Sequence, residues 1–142
     1  MDLPISTEDL TRLYRFTLLL TGDEVAAQQV FYDACVEGAA RMGSFRNEDG
    51  RIAFMMGILR QRARTATPSG CETRVIARAF ATLPEEERAV LAGLYSGLLP
   101  ARLLAETMKL SLDQMGRTLK SARERLERAC LELGEPSLEP SL

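Results

Sequence analysis

"PARLLAETMKLSLDQMGRTLKSARERLERAC", Pro100 to Cys130, is the stretch on which the reading of this chain turns. Leu103, Leu104 and Met108 recur at helical spacing, and Pro100 suits the opening of a helix. "KLS" then turns the chain. Ser111-Leu-Asp-Gln114 has the form of a capping box, in which a hydroxyl and an amide each satisfy one free N–H of a helix start. Met115, Leu119, Ala122, Leu126, Ala129 and Leu133 follow as one apolar stripe, so a longer helix is expected there. A short helix, a tight turn and a longer helix make a helix-turn-helix plan. Such a crossing needs a small residue where the helices approach, and Ala105 supplies it. It needs apolar residues around the turn, and Leu110 and Met115 supply them. The outward face of the second helix reads Gln114, Arg117, Thr118, Lys120, Ser121 and Glu124. Gln and Arg can pair two-pronged with base edges, while Lys, Thr and Ser reach phosphates. Mixed Arg and Glu is also the face of a merely solvated helix, and periodicity alone leaves both readings open.

The same 3.6-residue period runs back through the chain, and strand-like alternation is absent, so the fold class is all-α. Leu10, Leu13, Tyr14, Thr17 and Leu18 make one face of a first helix. Thr21-Gly-Asp-Glu24 reads as a capping box with Thr21 as N-cap, starting a second helix with Ala27, Val30, Phe31, Ala34 and Cys35 inward. Met42 to Gly50 is a polar loop. Ile52, Met55, Met56, Leu59 and Ala63 face inward from a third helix. Thr65 to Gly70 is small, polar and Pro/Gly-bearing, the best linker candidate. Ile76, Ala79, Phe80 and Leu83 define a fourth helix. Thr82, Pro84 and the acids Glu85 to Glu87 then start a fifth, with Val90, Leu91, Leu94 and Tyr95 inward. The expected organisation is two small helical lobes: three helices over 1–65, a linker over 66–73, four helices with the helix-turn-helix over 74–133, and a flexible tail over 134–142.

Bulk properties narrow the function. With 142 residues and 46% apolar content the chain can bury a core. No stretch is long and apolar enough for a membrane span, and the opening residues lack the form of a signal peptide, so a cytoplasmic protein is expected. Cys35, Cys71 and Cys130 are widely spaced and make neither a disulfide framework nor a zinc site. Histidine is absent, which removes the commonest general base and metal ligand. No phosphate-binding glycine loop or nucleophile elbow is present, so no enzyme, cofactor or metal is expected. The formal net charge of −2 is not that of a strongly basic nucleic-acid binder. Basic residues do cluster, at Arg60, Arg62 and Arg64 and along Arg117 to Arg128.

Leu83 to Leu126 resembles region 4 of the sigma-70 family of bacterial RNA polymerase sigma factors, through "LPEEERAVL", "LLA" at Leu103 to Ala105, and "KSARERL". "LYRFTLLLTGDEVAAQQVFYDACVEGA" and "GILRQRAR" are similar to region 2 of the small, extracytoplasmic-function type. The resemblance spans about residues 10–130 in the right order. It implies transcription initiation by recruitment of core polymerase to a promoter, without catalysis. It implies polymerase docking through Gln29, Tyr32, Asp33 and Val36 on the second helix. It implies binding and opening of the −10 element through Phe45, Arg60, Gln61, Arg62 and Arg64, with the aromatic stacking on an unstacked base. Gln114, Arg117, Thr118, Lys120 and Ser121 would read the −35 element. The implied partners are core RNA polymerase, promoter DNA and an anti-sigma factor.

The chain departs from the family at several of these positions. Gln29 and Tyr32 replace an Asp and a Gln, Lys109 stands at the turn glycine, and Ser121 replaces an arginine. Gly116, a helix former about 1 kcal/mol poorer than Ala, interrupts the recognition helix. Thr65, Ala66 and Thr67 stand where basic residues usually continue. Each lost phosphate contact lowers DNA affinity. These departures suit a second reading, a sigma-like adaptor that captures an anti-sigma factor in place of promoter DNA.

Overall fold

The computed structural model describes residues 4–134, which form seven α-helices and no strand. The helices are α1 (Thr7–Thr21), α2 (Glu24–Ala39), α3 (Glu48–Ala63), α4 (Val75–Ala81), α5 (Glu85–Ser96), α6 (Ala101–Thr107) and α7 (Leu112–Gly134), with one 3-10 turn at Met42–Ser44. The all-α expectation and the order of elements hold. Residues 135–142 of the expected tail lie outside the described residues.

Helix α1 sits at the centre. It packs against α2 and α3 on one side of the chain's midpoint and against α4 and α5 on the other. Its buried set is Asp9, Leu13, Phe16, Thr17, Leu19, Leu20 and Thr21. The expected single face of Leu10, Leu13, Tyr14, Thr17 and Leu18 is too narrow, because a helix enclosed on several sides buries residues around most of its circumference. One apolar cluster continues from Phe16, Leu59 and Met56 through Phe80 and Leu91 to Leu126. The two halves therefore share a core.

Local chemistry sets the joints. Ser6 caps α1 by accepting from the Asp9 N–H at 3.1 Å. Gly22 ends α1 at φ 66°, a left-handed conformation that costs glycine little. It also lies beneath α4: a Cβ there would stand 2.5 Å from the Ala81 Cβ and 2.8 Å from the Ala77 carbonyl. The N-cap of α2 is Asp23, not Thr21 as the sequence pattern indicated. The Thr21 hydroxyl turns back into α1 and donates to the Thr17 carbonyl at 3.0 Å, which leaves the first N–H groups of α2 to the neighbouring carboxylate. Thr82 likewise closes α4 rather than capping α5, whose N-cap is Pro84. The Ser111–Gln114 capping box forms in both directions, at 3.0 and 2.9 Å.

The segment between α3 and α4 is tied down at the N-terminus of α2. The Asp23 carboxylate accepts from the Ala26 N–H, the Ser69 N–H and the Ser69 hydroxyl at 2.9, 3.1 and 2.5 Å. Glu72 accepts from the Glu24 N–H at 2.8 Å and pairs with Arg74 at 2.9 Å. Arg88 of α5 donates to the Leu20 carbonyl at the end of α1 and to the Leu83 carbonyl, at 2.9 and 2.8 Å.

Between α6 and α7 the chain forms a Schellman turn. The Leu110 N–H reaches the Ala105 carbonyl at 2.9 Å and the Lys109 N–H reaches that of Glu106 at 3.0 Å. Lys109 adopts φ 60°, the one positive φ at a non-glycine position among the described residues. Its side chain is exposed. Lys109→Gly is therefore expected to raise stability by about 1 kcal/mol, seen as a higher urea midpoint at unchanged m-value.

Some expected inward residues face out. Ile76 and Tyr95 are 44% and 47% exposed, and Tyr95 keeps only an edge-on contact with Phe80, ring centroids 6.0 Å apart. Ala77, Ala89, Ala92 and Gly93 take the inner positions, because closely approaching helices favour small side chains. Cys35 and Cys130 are free, half-buried thiols packed against the core, and burial pushes the Cys35 thiol up from its ordinary value.

Candidate nucleic-acid interface

The C-terminal turn of α3 is the most highly organised charged site. Arg60 and Arg64, one helical turn apart, face α5, whereas Arg62 faces α2. The Arg60 guanidinium forks onto Glu85, with Nε to Oε2 at 2.7 Å and Nη2 to Oε1 at 3.1 Å. Its Nη1 lies 3.2 Å from the Met108 sulfur at the end of α6. Arg64 approaches the same carboxylate at 3.5 Å. Arg60, chiefly through its hydrogen bonds, holds the Glu85 carboxyl below the usual carboxylate range, and Arg64 adds to this. Arg62 pairs with Glu37 at 2.7 Å, and Gln61 is exposed.

Phe45 follows the 3-10 turn and is half-buried. Its ring lies 4.9 Å from that of Phe54, tilted by 34°. The Arg41 guanidinium stands 5.1 Å from the Phe54 centroid. Asn47 caps α3 by accepting from the Gly50 N–H at 2.7 Å, which fixes the approach of this loop to the helix. Phe45 is thus on the same helix-loop unit as the arginines, with part of its surface already used against Phe54.

On α2, Gln29 donates to Asp33 at 2.9 Å, and Tyr32 and Val36 are 64% and 47% exposed. Val25, 57% exposed, extends this stripe by two turns. The spacing Val25, Tyr32, Val36 is that of one helical face, a signal already present in the sequence.

On α7 the five expected base- and phosphate-facing residues divide. Arg117 and Lys120 are exposed and form no ion pair among the described residues. Gln114 is engaged in the capping box, and Thr118 is half-buried. Ser121 donates to Glu87 of α5 at 2.9 Å, and Arg125 pairs with the same carboxylate at 3.2 Å. Glu85 and Glu87 were read from sequence only as helix-start acids. The structure gives them to arginines at the end of α3 and to a serine and an arginine on α7, with Arg60 25 residues from Glu85 and Ser121 34 residues from Glu87.

No family model and no curated protein matches the chain. A solved structure is similar to it: the co-crystal structure of the sigma factor RpoE in complex with the anti-sigma factor NepR from Bartonella quintana. The TM-score is 0.62 at 15% identity, over 90% of this chain and 92% of that one. At this identity the likeness is one of fold, and the all-helical arrangement described above is that of a sigma-factor structure.

Proposed function

We propose that this chain is a sigma-70-type transcription protein of the extracytoplasmic-function kind, which brings core RNA polymerase to promoter DNA without catalysing a reaction itself. The observation that carries the reading is the sigma-factor fold over nine-tenths of the chain, with the expected docking stripe exposed on α2. In this reading the units 1–65 and 74–133, joined through 66–73, correspond to regions 2 and 4. Gln29, Tyr32, Asp33 and Val36, with Val25 added, meet polymerase. Phe45, Arg60, Gln61, Arg62 and Arg64 meet the −10 element, and Arg117 and Lys120 lead the contact with the −35 element.

A second reading has its own support. Several expected DNA-facing groups, Arg60, Gln114 and Ser121 among them, already hold partners within the chain. That suits a sigma-like adaptor whose ligand is an anti-sigma factor, the type of partner bound in the similar structure.

Retention on immobilised core polymerase, followed by run-off transcription, separates the two. A sigma factor is retained and initiates. Tyr32→Glu with Val36→Glu, both surface changes, is expected to abolish retention. Arg117→Ala with Lys120→Ala is expected to leave retention intact and lower initiation at least about tenfold, the loss that removing two groove or phosphate contacts brings. A chain that ignores core but is retained by an anti-sigma factor is the adaptor.

A further inference from the structure

Resting on that reading, we infer that Glu85 is an internal competitor of nucleic-acid phosphate: it masks Arg60 and Arg64, so that strand binding requires its displacement. Arginine offers a planar fork of donors that suits carboxylate and phosphate alike. In this chain the fork of Arg60 is filled by Glu85, and the same carboxylate draws Arg64. Two of the guanidinium groups that the proposed function assigns to the −10 strand are therefore neutralised from within.

The pair is built to be displaced. The Glu85 and Arg64 side chains, 38% and 52% exposed, sit at the rim, whereas that of Arg60 is 18% exposed and more covered. The 3.5 Å Arg64–Glu85 contact is of the weak, exposed kind that yields to competing ions, whereas the forked Arg60–Glu85 pair is the stronger one and the one a phosphate has to replace in full. A cleft of about 510 Å³ opens beside Glu85 and Arg64, lined also by Ala63 and Arg88, and reaches Arg60 only by way of the Glu85 carboxylate. It leaves room for a phosphate to approach without separating the helices. A change of side-chain partner suffices, and the shared core around α1 stays intact. Glu86 supplies a natural control: it is adjacent, exposed and in no ion pair among the described residues.

The test is binding of a short fluorescein-labelled single-stranded DNA of mixed sequence to the full chain, by anisotropy across a salt series. Glu85→Gln is expected to tighten binding about tenfold at low salt, and to steepen the slope of log K against log [salt] by about 0.7 for each arginine released. Glu86→Gln, the same change in net charge, is expected to move affinity less than about twofold, as one exposed charge under salt screening would. In an Arg60→Ala/Arg64→Ala background, Glu85→Gln is expected to gain nothing. An equal gain from Glu86→Gln would reduce the effect to bulk charge and overturn the mask. If core polymerase retains the chain and Arg60→Ala/Arg64→Ala weakens DNA binding while Glu85→Gln does nothing, the mask alone falls. If core is not retained and no variant binds the strand, the sigma reading falls with it. Circular dichroism of each variant checks that the helices remain.

Discussion

Gly22→Ala is expected to lower the melting temperature by about 10 °C, from a loss of about 2–4 kcal/mol. Two costs add. A left-handed φ of 66° is unfavourable for any residue with a Cβ, by about 1 kcal/mol. The new methyl would also stand 2.5 Å from the Ala81 Cβ and 2.8 Å from the Ala77 carbonyl. One of those neighbours is backbone, which no rotamer change can move aside. Helix α4 must retreat from the end of α1, at the overpacking cost of about 1–3 kcal/mol. Lys109 has almost the same φ but an exposed side chain, so the two positions predict opposite signs: alanine harms at Gly22, glycine helps at Lys109. Calorimetry should show a single transition for both, since the halves share a core. A Gly22→Ala melting point within about 2 °C of wild type would mean that α4 is not held against α1 as described.

Asp23→Ala is expected to cost about 2–3 kcal/mol near neutral pH, combining a lost helix cap with two charge-assisted bonds to Ser69. It should also change the response to acid. The Ser69 hydroxyl, followed by the Ala26 and Ser69 N–H groups, holds the Asp23 carboxyl below its ordinary value of 3.8, against the opposing effect of burial. The folded protein therefore takes up this proton at a lower pH than the unfolded chain does. The resulting stability is complete above the unfolded pKa and is lost as pH falls through the folded one. Glu72 acts in the same direction. Its bonds with Arg74 and the Glu24 N–H lower it from 4.5 to about 2. Wild type should thus weaken steadily between about pH 5 and pH 2. Asp23→Ala, having already lost its share, should weaken less over that interval. Urea unfolding near pH 7 and near pH 3 measures the difference. Parallel losses in the two proteins would show that Asp23 is not ionised and bonded in this way.

Features that depend on near neighbours in sequence were legible. The Ser111–Gln114 box, the stripe from Met115 to Leu133, the burial of the small Ala105 and the helix opening at Pro100 need only a turn or two of context. The Thr21 reading failed at the same range because two capping residues compete there, and nothing local says that the threonine hydroxyl prefers the helix behind it. The faces of α1 and α5 were harder. Which of Leu18, Phe16 and Tyr95 is covered depends on how many helices arrive, and that is not written in the period of one. Pairings such as Arg60 with Glu85 and Ser121 with Glu87 were not visible. Acids at a helix start already have a sufficient local reason in the helix dipole. Of the candidate site, the exposed members Tyr32, Val36, Arg117 and Lys120 lie where a ligand could reach them. The members with internal partners needed the tertiary structure to be found.

Helix α1 has a further consequence for how the protein is made. It leaves the ribosome before the helices that cover it, and Arg88, which bonds the Leu20 carbonyl, comes 68 residues later. At a synthesis rate of about 5–20 residues per second, the nascent helix waits about 3–14 s for the partners that cover its remaining sides. During that interval it can dock on α2 and α3 only, and the side that belongs to α4 and α5 stays open to water or to a chaperone. A gene cut within residues 66–73 is therefore expected to release a fragment in which the side of α1 that packs on α4 and α5 is open, and which associates with other chains through it.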